Sequence, residues 1–299
     1  MPAAHSYRAV GIALAVGAVI AFSFRPIFIK LAYGYVRDPV TLIALRMVFS
    51  APFFLAVALW QRGAAAAPIS RRDWGAILLL GFLGYYFASF TDFLGLQYIA
   101  AGLGRLLLFI YPTIVVILSW LFFRRRADAR QLLAIVVTYA GLALVLAQAA
   151  GGQHENLPLG AALMFVSASS YAVYLVLGEQ IILRVGSMRF TAYALLVASV
   201  LCIAQFFLLR PLDALVLPWQ VYGLAIVIAI LSTVLPTFMT AEALKRVGAN
   251  HVAILGALGP VSVMFTGWLG LGETMSGLQM VGVALVLAGV VAVSLKPKR

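Results

Sequence analysis

Apolar positions run along this chain in ten long windows, near residues 9–34, 39–61, 74–97, 99–123, 130–149, 158–183, 188–209, 217–241, 249–272 and 275–295, each closed by charged or turn residues. A helix needs roughly 20 apolar residues to cross a hydrocarbon core about 30 Å thick, and every window meets that length. The pattern predicts an all-α integral membrane protein with ten transmembrane helices. What remains is two tails and nine short connections, none long enough to fold as a soluble catalytic, nucleotide-binding or receptor domain. Composition agrees: of 299 residues 64% are hydrophobic and only 10% charged, against about 25% charged in a soluble protein.

The windows repeat. Sliding the chain on itself by 148 residues lays the fourth and fifth windows over the ninth and tenth without a gap. Pro112 and Trp120 then fall on Pro260 and Trp268, Gln131 on Gln279, and Ala140 and Gly141 on Ala288 and Gly289. The first and sixth windows align more loosely, with Phe22 over Tyr171. The chain therefore reads as two five-helix halves, residues 1–150 and 156–299. Five is odd, so the second half is expected to enter the membrane inverted, the architecture of alternating-access carriers with a site near the midplane between halves.

The net charge of +12 would suggest nucleic acid in a soluble protein. Assigned alternately to the two sides, however, the connections and tails carry fifteen basic residues on one side and two, Arg37 and Arg210, on the other. The positive-inside rule places the richer side, with both termini, in the cytoplasm of an inner-membrane protein. The basic balance is thus a topology signal, and no nucleic-acid partner is expected. Equivalent turns even differ in sign, with Arg125 in one half and Glu273 in the other. All five tryptophans, Trp60, Trp74, Trp120, Trp219 and Trp268, fall near span ends, where aromatic belts lie.

Cys202 stands alone inside a span, which excludes a disulfide framework and cysteine metal sites. His5, His154 and His251 are too dispersed for a zinc cluster. No G-x-S-x-G, H-E-x-x-H, Walker A or strand-linked G-x-G-x-x-G occurs, so neither an enzyme nor a bound cofactor or metal is expected.

In each half a mid-span Pro is followed by an apolar run, a short charged turn and a Gly-containing span. The segments read YIAAGLGRLLLFIYPTIVVILSWLFF then QLLAIVVTYAGLALVL, and GANHVAILGALGPVSVMFTGWLGLGE then LQMVGVALVLAGVVAV. With Pro39, Leu45, Arg46 and Met47 at the second span, this resembles the EamA-type ten-helix members of the drug/metabolite transporter superfamily, and most of all the YddG-type exporters of aromatic and other neutral amino acids. The resemblance covers nearly the whole chain. It implies a secondary carrier, and it alone implies export. One departure is Arg124 to Arg126 where the family usually carries an acidic residue after the fourth span.

Polar residues at membrane depth are expensive and mark candidate sites. Tyr85, Ser89 and Asp92 fall at i, i+4 and i+7 on one helix face, and Asp92 reaches the depth of Arg105 across the next turn. Either those two neutralise each other, or one meets a substrate carboxylate or ammonium. Arg25 and Arg46 share a depth with no acid in either of their spans, and Pro26 adds a kink. In the sixth span Ser167, Tyr171 and Tyr174 repeat the stripe at i, i+4 and i+7, with Ser169 and Ser170 beside them at midplane. Phe22, Tyr85, Tyr111 and Tyr171 near mid-depth suit an aromatic or aliphatic group, while small hydroxyls can equally join helices. Pro112 and Pro260 sit where a hinge or gate would be. Glu242 with Lys245 and Arg246, and Glu179 with Arg184, read as ion pairs at the ends of spans.

The expected function is secondary transport of a small zwitterionic metabolite, with neutral and aromatic amino acids as first candidates, by a protein working as a monomer in the bilayer. Another anionic or neutral metabolite is the alternative substrate. A non-transporting channel or scaffold is the alternative class, and midplane prolines on a repeated, polar-lined bundle speak against it.

Overall fold

The computed structural model describes residues 2–63, 68–123, 129–149, 155–256, 258–272 and 276–294. These form fourteen α-helices and no strand. The first half holds α1 (Pro2–Ser23), α2 (Arg25–Tyr33), α3 (Pro39–Gly63), α4 (Arg71–Gly81), α5 (Ala88–Tyr98), α6 (Ala101–Leu108), α7 (Tyr111–Phe123) and α8 (Ala129–Ala149). The second holds α9 (Leu157–Val185), α10 (Ser187–Leu209), α11 (Trp219–Ala229), α12 (Leu235–Gly256), α13 (Leu258–Leu271) and α14 (Gly277–Ser294). Eight runs among the described residues are long and apolar enough to cross a membrane, and Val261–Leu271 and Gly277–Gly289 are shorter apolar helices in the ninth and tenth windows. This is an all-α membrane protein.

Local chemistry sets where helices start. Asp38 accepts from the Val40 and Thr41 amides at 3.2 and 3.3 Å and from the Thr41 hydroxyl, with Pro39 at the first helical position of α3. The Ser70 hydroxyl accepts from the Asp73 amide at 3.1 Å to open α4, and Asn156 caps α9 through the Leu159 amide at 3.1 Å. The first span breaks at Phe24, where Pro26 removes a donor and α2 restarts at Arg25.

One interruption recurs between the halves. The third span passes through a π-helical segment, Phe82–Phe87, between α4 and α5; the eighth passes through Ile230–Val234 between α11 and α12, beginning 148 residues later. Their i+5 bonds run from the Ala88 amide to Leu83 and from the Leu235 amide to Ile230. The fourth span breaks between Leu108 and Tyr111, which puts Pro112 in the first turn of α7, where a missing amide hydrogen is tolerated. In the second half, residue 257 between α12 and α13 lies outside the described residues, and Pro260 follows it in α13. The side chains of both prolines lie outside the described residues.

Packing exchanges the halves. α1 packs on α12 as α9 packs on α5, while α3 pairs with α10 and α8 with α14. Both self-exchanging pairs are antiparallel. Along α3 and α10, Asp38 meets Arg210 and Met47 meets Ser199, so one index rises as the other falls. Along α8 and α14, a Cβ on Gly141 would stand 2.6 Å from the Gly282 carbonyl oxygen, and one on Gly289 2.7 Å from that of Ala134. Under the 148-residue exchange Gly141 becomes Gly289 and Gly282 becomes Ala134, so one contact maps onto the other. Glycine is required here because two backbones touch.

Polar connections gather at the bundle's ends. Arg210 binds Asp38 at 2.8 Å and Arg37 binds Glu155 at 3.2 Å at one end. Burial alone would raise the Asp38 carboxyl, but hydrogen bonds from Arg210 and Thr41 hold it below the ordinary carboxylate range. At the other end Arg184 binds Asp73 at 2.7 Å, while the side chain of Glu179, its expected partner, lies outside the described residues. Glu242 takes Arg246 at 2.7 Å as the sequence suggests, and Arg246 also lies over the Tyr7 ring. Trp60, Trp219 and Trp268 are exposed, and so are large apolar side chains within the spans, such as Val200 and Phe207 of α10, as a lipid-facing surface requires. The charged turns at 124–126 and 273 fall outside the described residues, as do the side chains of His5, His154 and His251.

Candidate functional site

The charged centre lies where α2, α5 and α6 meet. The Arg25 guanidinium donates to the Asp92 carboxylate, whose side chain is 3% exposed. The carboxylate therefore pairs with Arg25 and not, as its depth suggests, with Arg105. Resumption of the first span at Arg25 after the Phe24 break brings that guanidinium against α5. Arg105 lines the same small cavity of about 10 Å³ together with Arg25, Pro26, Asp92, Leu96 and Leu108. That is room for about one water. Behind it stands α13: a Cβ on Gly259 would lie 3.2 Å from Nη2 of Arg105, and the Ser23 hydroxyl reaches the Gly259 carbonyl at 3.4 Å.

Arg46 of α3 approaches from the other side. It is 1% exposed, its guanidinium sits 4.9 Å from the centre of the Phe93 ring, and it lies within electrostatic reach of Arg25 and Asp92. A cation over an aromatic face gains about 2 kcal/mol when desolvated, which offsets part of its burial. Three guanidiniums thus surround one carboxylate. Sequence reasoning noted the depth of Arg46 but not its place in this cluster; the lack of any acid in its span was the available signal.

A second, larger cavity of about 550 Å³ lies one to two turns further along the same helices, lined by Lys30, Tyr33, Gly34, Tyr35, Arg37 and Gln97. Tyr33 donates to the Phe93 carbonyl at 2.6 Å, and Gln97 to the Arg37 carbonyl at 2.8 Å, so its wall is fixed between α2 and α5. Two of its six lining residues are cationic, which raises the local concentration of anions at that mouth.

Aromatic rings form a continuous row beside the charges. Tyr111 meets Tyr171 edge-on at 5.2 Å, Tyr171 stacks on Tyr174 at 5.6 Å, and Tyr174 meets Tyr85 at 5.0 Å and Phe190 at 5.7 Å. The Tyr85 and Tyr174 hydroxyls are 3.1 Å apart, and Arg105 lies within electrostatic reach of Tyr111 and Tyr171. Gly84 makes room for this row, since a Cβ there would fall 2.3 Å from Cγ of Tyr174. Phe190 and Gly84 escaped sequence reasoning because each is an ordinary apolar-span residue without its partner in view. Phe22 is half-buried on α1, and among the described residues no ring contact joins it to the row.

Tyr85, Ser89 and Asp92 do not share one face. Tyr85 belongs to the π segment and turns to α9, whereas Asp92, beyond it, turns to α2. The wider π turn breaks the i, i+4, i+7 register on which the expectation rested. Ser89 is buried on α5. Ser170 and Ser167 of α9 donate to the Leu83 and Ala88 carbonyls at 2.8 and 2.7 Å, in and just after that segment. Their hydroxyls are committed to joining α9 to the interrupted helix. Changing both to Ala is expected to lower stability by about 1 kcal/mol while flux per folded molecule stays within twofold of wild type. A tenfold loss of flux at wild-type stability would place them at the substrate instead.

Among the described residues no group of three His, Cys, Asp or Glu could hold a metal ion. What the arrangement offers is recognition: guanidiniums for an anionic group, a carboxylate for a cationic one, and rings for an apolar side chain.

Comparison with known proteins supplies the frame. A protein of known crystal structure superposes with a TM-score of 0.66 over 95% of this chain and 98% of its own, at 19% identity, which speaks for the fold. The uncharacterized transporter YcbK of Bacillus subtilis (strain 168) is 28% identical over 273 residues, 88% of this chain and 86% of its own. The threonine/homoserine exporter RhtA of Salmonella typhimurium is 27% identical over 222 residues, 74% and 70% of the two chains. The profile of the EamA-like transporter family matches residues 9–147 and again 158–295. Two copies of that unit cover nearly all of the sequence, and the protein belongs to the EamA-like transporter family.

Proposed function

We propose that the protein is a secondary carrier that exports small zwitterionic metabolites, neutral and aromatic amino acids first among them, across the inner membrane by alternating access. The observation that carries the reading is the Arg25–Asp92–Arg105 cluster at membrane depth, directly beside the row of Tyr111, Tyr171, Tyr174 and Tyr85. An α-amino acid presents the same three features, an anion, a cation and a side chain, on one carbon. A relative that exports threonine and homoserine supports an amino-acid substrate and the outward direction.

In this reading the halves work as an inverted repeat. The antiparallel pairing of α3 with α10 and α8 with α14 supports it, and so do the π segments 148 residues apart. Both termini face the cytoplasm, on the strength of fifteen basic residues against two. The carrier acts as a monomer, its site built within one chain, and Pro112, at the restart of the fourth span, and its repeat mate Pro260 are the points about which the bundles rock. An anionic metabolite is the second reading, favoured by three guanidiniums around a single carboxylate.

Purified protein in liposomes is expected to carry labelled phenylalanine, methionine or threonine down its gradient in a saturable manner. Equal flux with and without protein across a broad amino-acid panel would overturn the substrate class. Repeating the measurement with an imposed pH gradient reads proton coupling directly.

A further inference from the structure

The cluster holds more cationic donors than it uses. Nε and Nη2 of Arg46 and Nε of Arg105 are buried with no hydrogen-bond partner among the described residues. A buried charged donor left unpaired is among the most destabilising arrangements a protein can keep. Arg46 cannot snorkel to an interface, because it is 1% exposed and held over Phe93. It also lines neither cavity, so a ligand in the cavity of Arg25 and Arg105 does not reach it directly. Its neighbours within electrostatic reach are Arg25, Cys202 and Asp92, of which Asp92 alone offers a carboxylate.

Resting on the reading that this cluster binds substrate, we propose that the ligand's carboxylate takes the place of Asp92 on Arg25, reaching the unpartnered Nε of Arg105 as well, and that Asp92 then turns to the unpartnered donors of Arg46. Asp92 is the internal counterion of the empty carrier, and Arg46 is a positioning residue that receives it. The exchange conserves pairing: the ligand brings one carboxylate, Arg25 changes partners without losing one, and Arg46 gains one. Asp92 stays beside the site, where it can accept an ammonium from the same ligand. The wall sequence, with Asp92 and Phe93 adjacent on α5 and Arg46 over the Phe93 ring, keeps donor and acceptor neighbours throughout. Recognition therefore selects for a carboxylate as such, and analogues that keep the ammonium and side chain but lack the anion do not trigger it.

Thermal midpoints of the purified full-length protein test this with four probes: phenylalanine, phenylalaninamide, phenethylamine and 3-phenylpropionate. Phenylalanine is expected to stabilise the wild type, the amide and the amine to bind at least tenfold more weakly, and phenylpropionate to retain part of the effect. Arg46→Met is expected to weaken phenylalanine about tenfold while leaving the amide unchanged, and Arg46→Lys to restore part of the loss. Without ligand, Arg46→Met should be at least as stable as wild type, since it removes an unpaired buried charge. In an Asp92→Asn background Arg46→Met should cause no further loss of affinity. Equal stabilisation by phenylalanine and its amide would overturn the carboxylate exchange while leaving amino-acid transport standing. Lower ligand-free stability of Arg46→Met with unchanged affinity would make Arg46 a structural residue. If no probe binds and liposomes carry no amino acid, the underlying reading fails with it.

Discussion

Asp92→Asn is expected to lower the thermal midpoint of the purified protein by on the order of 10 °C and to abolish amino-acid flux. Asp92 is the carboxylate at the meeting point of α2, α5 and α6, and Arg25, Arg46 and Arg105 all lie within its electrostatic reach. Neutralising it leaves three cations at membrane depth, and removing one partner of a buried pair costs roughly 3–5 kcal/mol. Arg25→Gln combined with Asp92→Asn is expected to be more stable than Asp92→Asn alone, because it removes one of the stranded charges. The double-mutant cycle reads that coupling directly. A midpoint within 2 °C of wild type for Asp92→Asn would mean that the three guanidiniums find their counter-charge elsewhere.

Gly141→Ala is expected to destabilise the protein by about 2 kcal/mol or more, and Gly289→Ala by a similar amount. In each case a Cβ meets backbone across the α8–α14 crossing, at 2.6 Å from the Gly282 oxygen and 2.7 Å from the Ala134 oxygen. A backbone oxygen cannot rotate aside, so the two helices must separate along their length. Once one substitution has opened the crossing, the second finds room, and the pair is expected to cost less than the sum of the singles. Gly223→Ala is the control. Nothing lies within 4 Å of a Cβ at that position in α11, so alanine there should be neutral or mildly stabilising. Detergent-resistant thermal unfolding of the four variants checks both statements, and full additivity would separate the two contacts.

The register that brings Gly141 and Gly289 to one crossing was legible in the sequence, because the Pro, Trp and Ala-Gly matches at 148 residues need no knowledge of packing. Span positions were legible for the same reason, since hydrophobic length is a property of the chain alone. The partner of Asp92 was not. Counting residues from a turn gives the depth of a side chain but not its azimuth, and Arg25 and Arg105 lie at similar depth on different helices. The Tyr85–Ser89–Asp92 face failed because an α-helical period was carried through Phe82–Phe87, whose residues carry no local signal of a π turn. Aromatic candidates fared better: Tyr85, Tyr111, Tyr171 and Tyr174 all joined one row, since rings at equal depth in a narrow bundle have few other places to go. Ser170 stood out as a polar residue within a span, but its acceptor, a carbonyl on the interrupted helix, has no signature in the sequence.

The paired π segments also bear on how the protein came to be. A π turn holds one residue more than the α turn it replaces, so each segment lengthens its span by one residue relative to an unbroken α-helix. A half that already held the extra residue, once copied, would carry it at both Phe82–Phe87 and Ile230–Val234, and that is where the segments stand, 148 residues apart. One residue turns everything downstream by about 100°. In one half the residue so turned is Asp92; its counterpart 148 positions on is Thr240. The two positions follow the start of a π segment at the same distance, and only one of them is charged.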